Sequence, residues 1–506
     1  MRRREPEMKR QPNRNLLDFR GRPTQVPRVL TASRILLCIL SALCGCAREP
    51  GILVNIASWP DGVERIRVRP TLAGSLGTDI YVGREQSRFV VRLPVGSPGT
   101  VQLDAVGLDG VDCKLAHGRL MEHVPADSNY FVERTLELST LSPRECIFDR
   151  AARFDVDLGP SSVAVADVNN DQKQDLVVAG YSRSGVYLLL GNGRGSFGMP
   201  AKFSLGKDPN GKDQEGPLSI VAGDFNGDLR TDVATANYVS GGVSVLFGNK
   251  LGALEPVTAI AIGDATLPSS IVKGDWNGDG KLDLAVANYG GHSFSLLRGD
   301  GNRGFLLDST FCVSGSAPCD VVRPYSLAVA DLDGDQRSDL VVTGYVARNV
   351  SMFLGNGVGA FGTASPFPVG LNPEGIAVGD FNGDGRPDLV TANSGTNDVT
   401  VLLNGKFADA RNAAVGAAPI SIVVADFNGD QKLDVVVANF GTQAVPGNQI
   451  SVLLGNGQGG FGPATQFAVA AFPQAVAIGD FNGDGRPDLV VANNGDSSIS
   501  ILLNQF

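Results

Sequence analysis

From Phe154 onward, short aliphatic runs recur along the chain, each bounded by turns rich in glycine, asparagine and aspartate. In one unit Ser162-Val163-Ala164-Val165-Ala166 precedes an acidic turn. In another, Leu389-Val390-Thr391-Ala392 follows the acidic turn, and Val399-Thr400-Val401-Leu402-Leu403 comes after a second turn. Runs of this length, rich in β-branched residues and flanked by turn formers, predict strands. A Gly355-Asn356-Gly357 turn and a Phe361-Gly362 pair then lead into a fourth, less regular strand. The unit occurs seven times at intervals of 46 to 57 residues, a spacing in the range of propeller blades. Four antiparallel strands repeated seven times predict an all-β fold, a seven-bladed β-propeller over 150–506. The last unit holds three strands before Phe506, and Phe154-Asp155-Val156-Asp157-Leu158, ahead of the first unit, matches the missing fourth. Pairing the two would close the ring and protect its edges.

Upstream of the repeats a period of two continues in Ile52, Val54 and Ile56, in Phe89, Val91 and Leu93, and in Val101, Leu103 and Ala105. Short alternating strands between Gly, Pro and Asp signals predict a small antiparallel β-sandwich over 47–149, an accessory domain with no catalytic constellation. Residues 1–34 are polar and arginine-rich, and the apolar run Ile35–Leu43 follows. That run is too short to span a bilayer, which takes about 20 residues, and has the length of a secretory h-region. It ends in Leu43-Cys44-Gly45-Cys46, which is similar to a bacterial lipobox. Residues 1–46 are therefore expected to be a lipoprotein signal peptide, with Cys46 lipidated and more than one acyl chain giving stable anchoring. The implied location is extracytoplasmic, on a bacterial (outer) membrane or cell surface, with no Asp after Cys46 to signal inner-membrane retention. An ordinary cleaved signal is the alternative.

Composition narrows the chemistry. Glycine supplies 64 of 506 residues, charged residues 19% and aromatics 7%, a mixture suited to many tight turns. The formal charge of −10 argues against nucleic acid, which needs a basic footprint. Three histidines leave little material for imidazole catalysis or zinc. Outside the N-terminal segment four cysteines remain, and Cys113–Cys146 and Cys312–Cys319 are the expected disulfides in an oxidising compartment. Four free thiols are the alternative.

The acidity is concentrated in a nine-residue loop between the first two strands of each unit. Positions 1, 3, 5 and 9 are Asp167, Asn169, Asp171 and Asp175; Asp224, Asn226, Asp228 and Asp232; Asp275, Asn277, Asp279 and Asp283; Asp331, Asp333, Asp335 and Asp339. The last three copies read Asp380, Asn382, Asp384 and Asp388; Asp426, Asn428, Asp430 and Asp434; Asp480, Asn482, Asp484 and Asp488. Hard oxygen donors at alternating positions suit Ca²⁺, which takes 6 to 8 oxygens in flexible geometry, and no thiolate or imidazole favours a softer metal. Position 7 is basic in every copy, and its side chain is expected to point outward while its carbonyl points in. Three carboxylates, one Ca²⁺ and that basic group sum to zero charge in six loops. Without the cation, carboxylates about 4 Å apart repel by roughly 4 kcal/mol per pair at an effective dielectric of 20. Up to seven structural calcium ions are expected.

The Asp-x-Asn-x-Asp-Gly-x-x-Asp loops, the Leu-Val-Val-Ala-Asn strands that follow and the Phe-Gly pairs resemble FG-GAP, or VCBS, repeats of the integrin-α-like propeller family. The resemblance covers about 150–506 and implies calcium in a structural role and a scaffold for adhesion and ligand recognition. Loop departures stand at Asn170, Gln172, Leu229, Asp333, Gln336 and Gln431.

The acidic loops keep one length, whereas connections at 206–216, 308–323 and 443–449 vary. Variable loops on a rigid scaffold are where recognition usually lives. The second-to-third strand turns carry Tyr181, Tyr238, Tyr289, Tyr345 and Phe440, with Ser394 and Asn494 in the other two units. Such an aromatic arc would stack on sugars or receive a peptide; capping of blade packing is the plainer reading. Arg298-Gly299-Asp300 is expected to be a turn and not a recognition tripeptide. The function these features favour is a calcium-stabilised, lipid-anchored binding or adhesion protein. Its partner would be an extracellular or envelope protein or glycan, met on the face opposite the calcium loops. A polysaccharide lyase or hydrolase on the same scaffold is the alternative.

Overall fold

The second strand of six of the repeats, such as Asp175–Gly180, Asp283–Asn288 or Asp488–Asn493, is buried along its whole length, and that of blade six is buried except at Phe440. Strands covered on both faces read as continuous apolar runs, not as alternation. The third strand is nearly as buried, whereas the fourth, as at Ala201–Phe203 or Ala410–Ala414, is mostly exposed. This inside-to-outside gradient is that of a sheet seen edge-on, and seven such sheets form the repeat region. In the computed structural model the described residues are 147–505, with short gaps at 149–150, 157–158, 209, 257–258, 263–265, 316–317, 405–406, 408 and 443–444, together with the strands between 51 and 140. The expected signal peptide, the Cys46 lipidation site and the Cys113–Cys146 pair lie outside them.

The first strands of the seven blades are Pro160–Ala166, Pro217–Gly223, Pro268–Gly274, Pro324–Ala330, Pro373–Gly379, Pro419–Ala425 and Pro473–Gly479. Each contacts the first strand of the next blade, and the last contacts the first, so they surround a central channel. Blades one to six each hold consecutive antiparallel strands. Blade seven takes three strands from the C-terminal end and its fourth, Ala152–Asp155, from ahead of blade one. Phe154 lies opposite Ile499 in that antiparallel pairing. The expected closure is therefore the observed one, and it leaves no unpaired central edge. Seven apolar cores fill the spaces between adjacent blades; that between blades six and seven includes Phe148, packed edge-on against Phe427 at 5.5 Å.

Every first strand opens on a proline, whose missing N–H is tolerated at a strand start. The residue before it is left-handed in all seven blades, including the non-glycines Leu267, Arg323, Asn372, Ala418 and Phe472 at φ 46 to 54°.

The chain divides into two units between Cys146 and Ile147. In the first, one sheet has the order Arg88–Arg92, Gly51–Ile56, Phe131–Leu136, and a second is built around Arg65–Leu72, Gly99–Leu108 and Lys114–Val124. Gly51–Ile56 runs parallel to Phe131–Leu136, which departs from a purely antiparallel arrangement. Adjacent strands in sequence pair antiparallel through short turns, whereas these two are brought together from opposite ends of the unit, which no local turn signal records. Among the described residues there is no helix, and hence none long and apolar enough to cross a membrane.

Candidate functional site

Each innermost strand begins at its proline and ends in its acidic loop, so all seven loops share one face of the wheel. The loops fold on themselves by the same bonds in every blade. The position-1 carboxylate accepts the N–H of positions 5 and 6; in blade two Asp228 N lies 3.1 Å and Leu229 N 2.8 Å from Asp224. The position-3 side-chain oxygen accepts the same position-5 amide, as Asn226 does at 2.9 Å. The position-5 carboxylate accepts the N–H of position 7, as Asp228 does from Arg230 at 3.0 Å. To aim these amides inward the backbone turns left-handed at positions 4 and 6 throughout. That is why glycine recurs there, and it places Asn170, Gln172, Leu229, Gln336 and Gln431 at φ 58 to 67°, where a side chain is strained.

The position-9 aspartate adds a buried carboxyl close to those of positions 5 and 1. It is at most 1% exposed in every blade and braces two turns. One oxygen accepts the position-2 amide and the other an amide from the turn after the third strand. For Asp232 the donors are Phe225 N at 2.9 Å and Gly248 N at 2.8 Å. Burial pushes these carboxyls up, with the two amides opposing and the neighbouring loop carboxylates adding to it, those of positions 5 and 1 in six blades and of positions 3 and 5 for Asp339; Asp232, Asp434 and Asp488 reach about 6.

The position-7 side chain does not simply point away. It turns back onto the position-5 carboxylate in six blades, from Arg230–Asp228 at 2.8 Å to Lys281–Asp279 and Arg486–Asp484 at 3.8 Å. A long flexible cation beside an exposed carboxylate finds it by Coulomb attraction, which spacing alone does not indicate. Backbone amides and this cation both offset the repulsion expected between the carboxylates. Blade four is the copy with a carboxylate at position 3 as well. There Asp331, Asp333 and Asp335 each offer an oxygen, all within 4.8 Å of one another. In that blade positions 1, 3 and 5 are grouped, and position 9, expected with them in the ligand set, also braces the adjoining turns.

The opposite face carries a cavity of about 380 Å³ at the mouth of the channel. Four of the five expected aromatics line it, Tyr181, Tyr238, Tyr289 and Tyr345, with Asn494 from the arc's seventh position. Phe440 does not; its ring packs on Phe472 at 5.2 Å, because an apolar neighbour was available from the blade-seven connection. Tyr289 is central, with ring centroids 6.3 Å from Tyr238, 6.3 Å from Tyr325 and 6.2 Å from Tyr345. The Arg323 guanidinium sits over Tyr289 at 5.4 Å, held by a left-handed backbone at φ 54°.

Sequence reasoning missed the floor of this cavity. Tyr325, Glu374, Leu218 and Gln474 each follow the proline of an innermost strand. Aligned across the repeats, that position reads Ser161, Leu218, Ser269, Tyr325, Glu374, Ile420 and Gln474; the lone charge among them was the available signal. Glu374 is 9% exposed. Burial pushes its carboxyl up to about 7, against hydrogen bonds from Ser394 and Tyr325 that pull it down. The Tyr325 hydroxyl is pushed well above its usual range by burial and by Glu374. Below the cavity the channel narrows past Ser162, Ser219, Ser270, Ser326 and Ser421.

The tripeptide at 298–300 is consumed by the fold. Arg298 pairs with Asp308 at 3.2 Å, Gly299 N–H donates to Asp283, and Asp300 accepts from Asn302 and Gly304. The Cys312–Cys319 disulfide is formed, in the connection that leads to Arg323.

The model of the FG-GAP-like repeat matches six overlapping stretches, 167–235, 224–286, 275–342, 331–391, 380–437 and 426–491. Together they span 325 of the 506 residues and include all seven acidic loops. The chain belongs to the FG-GAP-like repeat family. No curated protein matches it in sequence. Among solved structures, virginiamycin B lyase from Staphylococcus aureus is 13% identical with a TM-score of 0.49, over 70% of this chain and 98% of that one. BBS1N in complex with ARL6DN is 12% identical with a TM-score of 0.49, over 71% and 97%. An Agrocybe aegerita lectin recognising non-reducing terminal N-acetylglucosamine is 20% identical with a TM-score of 0.41, over 68% and 85%. None of these likenesses bears on what this FG-GAP propeller binds.

Proposed function

We propose that this FG-GAP propeller is a calcium-stabilised binding protein, lipid-anchored through Cys46 outside the cytoplasm, that recognises a protein or glycan on the face opposite its acidic loops. The observation that carries the reading is the mouth cavity. Four tyrosines from successive blades, a fifth from an innermost strand and a buried acid meet on one axis, although far apart in sequence. A rigid ring holds them in place without paying ordering entropy at each encounter. Calcium, held by the position 1, 3, 5 and 9 oxygens, would neutralise the loop carboxylates and stiffen the opposite face. The test is capture of glycans, matrix proteins and envelope extract by the purified chain, compared with Tyr289→Ala. Absence of any Tyr289-dependent ligand overturns the proposal.

A second reading has one specific observation in its favour. A carboxyl poised near pH 7 beside a tyrosine is the equipment of general acid–base chemistry, so a glycan lyase or hydrolase would use Glu374 and Tyr325. Turnover of acidic polysaccharides that Glu374→Gln abolishes would establish it, and absence of turnover across such a panel would remove it.

A further inference from the structure

The mouth cavity is selective in charge, shape and access, and each property restricts its occupant. Its lining holds one ionisable group besides the tyrosines, the buried Glu374 carboxyl, and the Arg323 guanidinium stacks on the lining ring of Tyr289, so the first disfavours a net anion and the second a net cation. Its polar groups differ in kind: Glu374 offers acceptor oxygens, and Gln474, Asn494 and the tyrosine hydroxyls both donate and accept. Between them lie the tyrosine rings, clustered 6.2 to 6.3 Å apart around Tyr289. A ligand matching this surface has an apolar face for the rings and a girdle of hydroxyls that both donate and accept. That is the chemistry of a neutral pyranose. A cavity of about 380 Å³ lies in the size range of small-molecule sites.

Access restricts the ligand further. The cavity is walled by residues of blades one, two, three, four, five and seven, so it is a well and not a groove. A sugar in the middle of a polymer has substituents leaving in two directions, and one of them would run into the wall. A ring at a chain end has one substituent, which can leave along the axis.

We propose that the channel mouth binds the terminal neutral sugar ring of a glycan, its apolar face against Tyr289 and its hydroxyls on Glu374, Gln474 and Asn494. The inference rests on the reading of this face as the binding face. It specifies end-group recognition, so oligosaccharides of any length sharing one terminal residue bind alike.

The experiment is saturation-transfer NMR on the full chain with a panel of neutral methyl pyranosides, followed by titration of the best ligand. At least one pyranoside should bind with Kd near the millimolar range, its ring protons most strongly saturated. Glu374→Gln and Tyr289→Ala should each weaken it about tenfold, the effect of losing one charged hydrogen bond or one aromatic face. Arg323→Met, at an exposed side chain, serves as a second variant should Tyr289→Ala fail to fold. No binding at about ten times that concentration, or equal binding by every variant, overturns the inference. Tyr289-dependent binding of a short peptide with no sugar binding also overturns it, while leaving the binding face itself intact. Absence of both sugar and peptide removes the two readings together.

Discussion

The buried acid at the channel mouth makes a measurable claim about stability. Glu374 would titrate near 4.5 in the unfolded chain and at about 7 in the folded one, because burial disfavours its charged form. A folded-state value raised above the unfolded one means that the native protein binds the proton more tightly. The contribution to stability is therefore complete below about pH 4.5 and is lost as pH rises through about 7. At about 1.4 kcal/mol per pH unit the loss is roughly 3 kcal/mol. Glutamine keeps the shape and cannot ionise, so Glu374→Gln removes this dependence. Urea unfolding of both proteins at half-unit steps between pH 4.5 and 8 isolates the effect, since other titrating groups cancel in the difference. Wild type should lose roughly 3 kcal/mol relative to the variant across that window and then run parallel to it. A flat difference, or one sloping the other way, would show that Glu374 is solvated and refute the account of the cavity floor.

Chelator-treated chain should melt lower than calcium-loaded chain, with each filled loop adding about 2.7 kcal/mol at a hundredfold excess over Kd; identical melting curves would dismiss the calcium proposal. In metal-free protein Asp232→Asn should cost about 2 to 3 kcal/mol, because an amide group replaces one acceptor facing two buried N–H donors. By contrast Asp228→Asn, at a half-exposed side chain paired with Arg230, should cost under about 1 kcal/mol there yet weaken calcium binding; equal costs would contradict the bracing role of position 9. Leu229→Gly should stabilise the fold by about 1 kcal/mol, since the leucine is 87% exposed at φ 62° and glycine adopts that backbone freely; a loss of stability in urea titration would argue otherwise.

The repeats made much of the architecture legible, because a sequence that copies itself seven times can be compared with itself. Glycine at loop positions 4 and 6 signals a left-handed backbone whatever surrounds it, and the structure places all seven copies there. Strand order, the count of seven blades and the borrowed fourth strand at Ala152–Asp155 follow from local period, spacing and a missing piece. Such features rest on residues near one another in sequence. That position 9 is buried and braces two turns was not legible, since Asp175 and Asp171 are the same residue type and differ in what lies behind them. Nor was the position-7 cation, which could equally have faced solvent.

Convergence on the axis was decided by tertiary structure alone. Tyr238, Tyr289 and Tyr345 belong to separate repeats, and the sequence could place them on one rim without saying which would meet. Phe440 has the same local context and turns to Phe472 instead. Glu374 acquires its properties only because the ring closes over it, excluding the water that would otherwise hold its charge. Local chemistry is written residue by residue, whereas burial depends on neighbours that only the closed ring supplies.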